Sequence, residues 1–318
     1  MSIFPTLTPE NKPIVIASVF ILAILAVGTA YTLSTQGTAP LLSPNYLLQQ
    51  LQTGSFLGIA AAGMMMVILL GHIDLSIPWT LTAAAMMATT VGGDLAIPTG
   101  IAVGAAIGLF NGLGVAYLRI PSMIFTLGVD SVVRGLMVAH TGGFAPQTAA
   151  TPIMRFLAAE KILGIPVAIF VWLAVSIVIA VILRRTGFGR SIYATGNREG
   201  AAYLSGIRTK AVVVGAFVTS GICAGVAGVL LAGYSAKAYQ GMGDAFLLPA
   251  IAAVVLGGTR ILGGQGRYIG TVVGVILIVL LNSVLSIMQM PEAGRQVIYG
   301  TVIISMLLVY GRTAKITS

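Results

Sequence analysis

The sequence predicts an all-α membrane protein of about ten transmembrane helices, with one or two of them broken or re-entrant. Two observations carry this. Of the 318 residues, 57% are hydrophobic and only 8% are charged, against roughly 25% charged in a soluble domain. The apolar residues also fall into runs near the ~20 residues needed to cross a bilayer. Glycine is abundant, 40 residues, as helices that pack closely in lipid allow.

In order, the expected spans are 14–34, 51–70, 74–91, 95–118, 122–140, 164–183, 211–233, 246–259, 268–287 and 294–311. The first is too long for a signal-peptide core of about 7–15 residues, and many spans follow it. The runs at 74–91 and 246–259 are short and carry Pro78 and Pro249. A broken helix is tolerated at membrane depth only where protein or a cavity surrounds it. All of 1–318 reads as one transmembrane domain, with 184–210 as a polar loop within it.

Charge sets the orientation. With the N-terminus inside, Lys12, Arg119, six basic residues of 184–210, Arg260, Arg267, Arg312 and Lys315 are cytoplasmic. Arg155, Lys161, Lys237 and Arg295 are outside, and Arg134 lies within a span. Twelve against four is the bias that orients spans, so both termini are expected in the cytoplasm. The net charge of +9 follows from this rule and from anionic inner-leaflet lipid. It does not point to nucleic acid.

GIAAAGMMMVILLG (58–71) and GICAGVAGVLLAG (221–233) are alike. On this topology they run in opposite directions, the mark of inverted repeats, although two Gly/Ala-rich spans also match by chance. Gly100, Gly104, Gly108 and Gly112 make one smooth helix face for a neighbouring backbone.

The polar residues inside spans are the candidates for a translocation pathway: Asp74, Ser76, Asn111, Asp130, Arg134 and Asn282. In GHIDLSIPW (71–79), Gly71 ends one helix and Asp74 can cap the next. Asp130 and Arg134, four apart, can pair on one helix face, either as a pathway lining or as a structural pair. Asn111 and Asn282 serve equally as interhelical hydrogen-bonding groups.

Several chemistries are excluded or disfavoured. His72 and His140 stand far apart without zinc-ligand spacing, so no metal site is expected. None of the five lysines follows a glycine, so a phosphate-binding loop is absent and any ATP is bound by another chain. GMGD (241–244) has the form of an intramembrane aspartyl-protease signature, but Asp244 has no Tyr-Asp partner and falls in an expected outer loop. No enzymatic activity is expected. The single Cys223 can form no disulfide within the chain.

Residues 184–210, RRTGFGRSIYATGNREGAAYLSGIRTK, hold seven of the 25 charges. Asn197 can cap a short helix over REGAAYLS, and Gly206 can stop it. A basic lipid anchor explains the charges but not this pattern.

GRSIYATGNREGAAYLSGI (189–207), GHIDLSI (71–77), PAIAAVVLGGTRILGGQGRYIGTVVG (249–274) and LLNSVLSI (280–287) resemble, in order, the ribose/xylose-type permeases of bacterial ABC sugar importers. The likeness runs from about Leu41 to Tyr310. It differs at His72, Pro78 and Trp79, where small residues are usual, and at Thr195-Gly196-Asn197, where two glycines commonly precede the asparagine.

The resemblance implies a bacterial inner-membrane permease subunit that moves a sugar, a pentose or related monosaccharide, by alternating access. Its partners would be a second permease subunit, as a homodimer or with a paralogue, two cytoplasmic ATPases that bind ATP and Mg, and a periplasmic sugar-binding protein. It assigns ATPase coupling to the loop of Gly196, Asn197, Arg198, Glu199, Ala201, Ala202, Ser205 and Gly206. A secondary transporter without an ATPase is the alternative, but it has no need of such a loop.

Overall fold

The computed structural model describes residues 12–301 except 145, 147 and 292, together with 304. Helices α1 (Lys12–Gln36), α2 (Pro44–Ile68), α3 (Ile77–Val91), α4 (Ala96–Leu118) and α5 (Ser122–Thr141) form the first part. A short α6 (Pro152–Ala159) and an antiparallel hairpin of β1 (Lys161–Ile162) and β2 (Ile165–Pro166) follow. Then come α7 (Val167–Arg185), α8 (Gly187–Asn197), α9 (Glu199–Leu204), α10 (Thr209–Tyr234), α11 (Leu247–Leu256) and α12 (Tyr268–Ile287).

Among the described residues, seven helices, namely α1, α2, α4, α5, α7, α10 and α12, are long and apolar enough to cross a membrane. The expected spans at 74–91 and 246–259 are the shorter apolar helices α3 and α11. At 1.5 Å per residue they reach roughly 22 and 15 Å, short of a hydrocarbon core of ~30 Å. The expected span at 294–311 is helical over 293–301. Its remainder apart from Ile304 lies outside the described residues, as do Arg312 and Lys315.

Apolar residues are split between two environments. The most apolar stretch of α2 is 89% buried and that of α10 is 67% buried, whereas that of α1 is only 11% buried. So α2 and α10 form the centre and α1 the rim. Leu22 and Val27 of α1, Ile124 and Leu136 of α5, and Leu173 and Ile177 of α7 are all exposed. A surface this apolar suits lipid rather than water.

The glycine stripe of α4 lies against α10. A Cβ at Gly104 would overlap the Gly221 carbonyl, and one at Gly108 the Phe217 carbonyl. These backbones therefore touch directly, as the spacing predicts.

The two similar segments fall in α2 and α10, which pack against each other in opposite directions. Each helix leads into an irregular segment and then a short helix. Asp74 stands three residues before α3 and Asp244 three before α11. The lead-in to α11 meets α3 itself, with the Gly243 amide donating to Thr82 Oγ1 at 3.0 Å.

Candidate functional site: a buried polar cluster and the 184–210 segment

The turn between α2 and α3 sets the geometry. Gly71, at φ +79°, takes the left-handed conformation that ends α2. Its amide donates to the Ile68 carbonyl and the His72 amide to the Val67 carbonyl, a Schellman arrangement. The next amides leave helical pairing and need other acceptors. α5 supplies them: Ile73 N donates to Ser122 Oγ at 3.3 Å and Leu75 N to Thr126 Oγ1 at 2.9 Å. Neither Ser122 nor Thr126 was singled out from the sequence; their signal is the i,i+4 pair of hydroxyls opening an apolar helix.

Asp74 is 2% exposed. Its Oδ1 accepts from the Ser76 amide at 3.1 Å and the Ser76 hydroxyl at 2.7 Å. Its Oδ2 accepts from Ser220 Oγ of α10 at 2.9 Å. Asn111 Nδ2 of α4 donates to Ser76 Oγ at 2.7 Å and reaches Asp74 Oδ1 at 3.5 Å. Among the described residues Asn111 Oδ1 has no hydrogen-bond partner. Asp74 thus turns the chain just ahead of α3, with Ser76 at the N-cap position, and ties that start to α4 and α10. Oxygen and amide groups converge here, a chemistry suited to hydrogen bonding and not to nucleophilic attack. Ser220 was missed in the sequence, where nothing sets it apart from the adjacent Thr219.

Asp130 and Arg134 reach the same short helix one turn on. Asp130 Oδ1 accepts from the Trp79 amide at 3.2 Å, and the Arg134 guanidinium lies 5.5 Å from the Trp79 ring centre. Among the described residues no ion pair joins the two; each engages Trp79 instead. Asn282 is elsewhere. It is exposed on α12 and accepts from Arg295 Nη1 at 3.1 Å. Five of the six pathway candidates therefore gather around the first turns of α3, and Asn282 does not.

The 184–210 segment folds as two helices rather than one. Thr186 caps α8, accepting from the Gly189 amide at 3.1 Å. Asn197 ends α8 instead of capping the next helix, and Arg198 occupies the N-cap position of α9 without a side-chain cap. Gly206, at φ +83°, closes α9 as expected. Its amide donates to Tyr203 O and that of Ile207 to Ala202 O, again a Schellman motif.

Of the eight residues assigned to coupling, Ala202 alone is buried, at 4% exposed. The prominent groups on α9 are Tyr203, 69% exposed, and Leu204, 86% exposed. Neither was singled out from the sequence; apolar side chains in an otherwise polar loop were the available signal. His72, in the turn, is held below its usual pKa by burial, with the nearby Glu199 carboxylate opposing that shift.

α8 reaches both irregular turns. Tyr193 OH donates to the Gly266 carbonyl at 2.8 Å. Gly196 packs against the Leu69 carbonyl and the Gly264 amide, and that amide donates to Leu69 O at 2.9 Å. Among the described residues no cluster of His, Cys, Asp and Glu could hold a metal ion.

Comparison with known proteins bears on this arrangement. A family model described as branched-chain amino acid transport system / permease component matches residues 46–307. The ribose import permease protein RbsC of Escherichia coli (strain K12) is 33% identical over 281 residues, covering 84% of this chain and 88% of that protein. RbsC of Haemophilus influenzae is 33% identical over 274 residues, covering 84% and 85%. The autoinducer 2 import system permease protein LsrC of Yersinia enterocolitica is 35% identical over 270 residues, covering 80% and 72%. No solved structure matches the chain.

Proposed function

We propose that this chain, which belongs to the branched-chain amino acid transport system / permease component family, is the permease subunit of an ABC importer for a sugar, a pentose or related monosaccharide. The observation that carries the proposal is the 33% identity to a ribose import permease across 84% of the chain. The family description names amino acids, but the ribose and autoinducer 2 permeases match over most of the chain, which favours a sugar.

In this reading the protein is a multi-pass component of a bacterial inner membrane with both termini in the cytoplasm. It works beside a second permease, identical or paralogous. Two ATPases bind ATP and Mg and drive transport by hydrolysis, and a periplasmic protein delivers the sugar. The start of α3, with Asp74, Ser76, Asn111, Asp130 and Arg134, borders the path. The exposed face of α9, with Asn197, Arg198, Glu199, Ala201, Ser205 and Gly206 around Tyr203 and Leu204, docks on the ATPase. Ala202 supports that face from beneath. Gly196 passes the movement to the turns at Leu69 and Gly264.

The test is sugar uptake by vesicles holding this chain with its ATPase and binding protein. Uptake of a pentose should require ATP and both partners. Uptake that persists without the ATPase and collapses when ion gradients are dissipated would identify a secondary transporter instead.

A further inference from the structure

A second set of polar groups lines α2 at the end nearest the hairpin, away from the Asp74 cluster. A cavity of about 530 Å³ opens there, lined by Asn45, Tyr46, Gln49, Gln52, Lys161 and Pro166. Its size falls within the roughly 300–1,000 Å³ of small-molecule sites. Asn45, Gln49 and Gln52 follow at i, i+4 and i+7, so three amides share one stripe of the helix.

Two of the lining groups are fixed in place. Gln52 is 6% exposed, and its Nε2 donates to the Ala158 carbonyl at 2.8 Å, which sets the plane of the amide. The Tyr46 hydroxyl shares a hydrogen bond with Ser283 Oγ of α12, which holds the phenol ring as a wall. Asn45, Gln49 and Lys161 are exposed and remain available to a ligand.

This is an unusual use of the end of a membrane helix. Lipid contact calls for apolar residues or an aromatic belt, not a stripe of amides. An amide offers both a donor and an acceptor, which matches the paired hydroxyls of a polyol. The ring of Tyr46 offers an apolar face, and the ammonium of Lys161 adds donors only. The single cation is exposed at the rim, so the lining favours a neutral ligand over an anion.

We infer that this cavity is a binding subsite for a neutral polyhydroxylated sugar, occupied before the solute reaches the Asp74 region. The inference rests on the importer reading above and adds a place and a set of recognising residues to it.

The test uses the assembled complex in nanodiscs and in vesicles, with D-ribose, D-xylose, L-arabinose and D-galactose as probes and betaine as the osmotic control. Cys223 is buried, so Gln49→Cys gives a reporter thiol on a quiet background. The sugar that the wild-type complex imports should slow maleimide labelling of Gln49→Cys, and betaine should not. Asn45→Ala and Gln49→Ala remove exposed side chains and leave the fold intact. Each should lower uptake by about fivefold, the effect of losing roughly one hydrogen bond, while binding-protein stimulation of the ATPase persists. Uptake by both variants at the wild-type rate, or labelling indifferent to the imported sugar, overturns the subsite and leaves the importer reading standing. If the wild-type complex imports none of the probes, the sugar reading falls and the subsite with it.

Discussion

Gly196 of α8 lies so close to the Leu69 carbonyl at the end of α2 that no Cβ fits between them. The same carbonyl accepts from the Gly264 amide, so three separate stretches of backbone meet at one point. One belongs to the segment assigned to coupling, and the other two adjoin the short helices α3 and α11. A displacement of α8 cannot be absorbed by side-chain rotation there, because the contact is backbone on backbone.

Gly196→Ala should therefore force α8 away from the turn. Overpacking of this kind costs typically 1–3 kcal/mol, too little to prevent insertion of a bundle with this many buried helices. The expected outcome is a permease that reaches the membrane and retains its ATPase but transports poorly. Uptake in vesicles, alongside co-purification of the ATPase, measures it. Normal uptake would remove the contact from the transmission route.

Asp74 answers to different substitutions. Asp74→Ala takes away the acceptor of the Ser76 amide and of the hydroxyls of Ser76 and Ser220. Each unsatisfied buried group costs about 1–3 kcal/mol, so a large fall in the melting temperature of the purified protein is expected. Asp74→Asn keeps the shape and one acceptor and should cost less. Ser220→Ala removes a single bond and should be milder than Asp74→Ala. Equal melting temperatures for Asp74→Ala and wild type would show that the cluster holds nothing together.

The pH dependence follows from His72. Burial lowers its pKa from the usual 6.5, so the unfolded chain takes up a proton first as the pH falls. Stability contributed by the neutral ring is present above 6.5 and is lost as pH drops from there toward the folded-state pKa. Melting temperatures of wild type should fall more than those of His72→Gln between about pH 7.5 and about pH 5.5. Parallel curves would mean that the ring is solvated in the protein.

Much of this architecture was legible because lipid imposes simple rules. Run length located the seven long helices, and the prolines at 78 and 249 marked the two that turn out short. The stripe from Gly100 to Gly112 announced its backbone contact with α10. Partners distant in sequence were the harder part. Nothing in a linear pattern joins Asp74 to Ser220, 146 residues on, or Ser122 and Thr126 to the amides of Ile73 and Leu75. Asp130 and Arg134 have ion-pair spacing, yet the Trp79 amide and ring compete for both. Ala202 was assigned to coupling with the rest of its loop, and only the direction of its side chain on α9 places it inside.

Orientation can be read with two cysteines. Leu163, at the hairpin tip, is 96% exposed, and Leu204 is 86% exposed at the other end of the bundle. With Cys223 buried, Leu163→Cys in intact spheroplasts should react with a membrane-impermeant maleimide, and Leu204→Cys only after lysis. The reverse pattern would invert the topology.

The last prediction concerns α9. Its outward residues Tyr203 and Leu204 follow the buried Ala202, and an apolar pair standing clear of the protein suits the centre of an interface, where truncating an anchor costs most. Leu204→Arg places a charge in that contact. Burying it unpaired costs several kcal/mol, while the exposed site leaves the fold of the permease undisturbed. The variant should insert normally, lose its ATPase on purification and stop importing. Glu199→Gln changes a group at the rim, where a charge pair is worth about 1 kcal/mol or less, and should retain most activity. Ala202→Arg is the less informative probe, since it would disrupt α9 from beneath and abolish docking whether or not Ala202 touches a partner. If Leu204→Arg co-purifies with the ATPase and imports at the wild-type rate, α9 does not carry the contact, and the basic loop reverts to a lipid anchor.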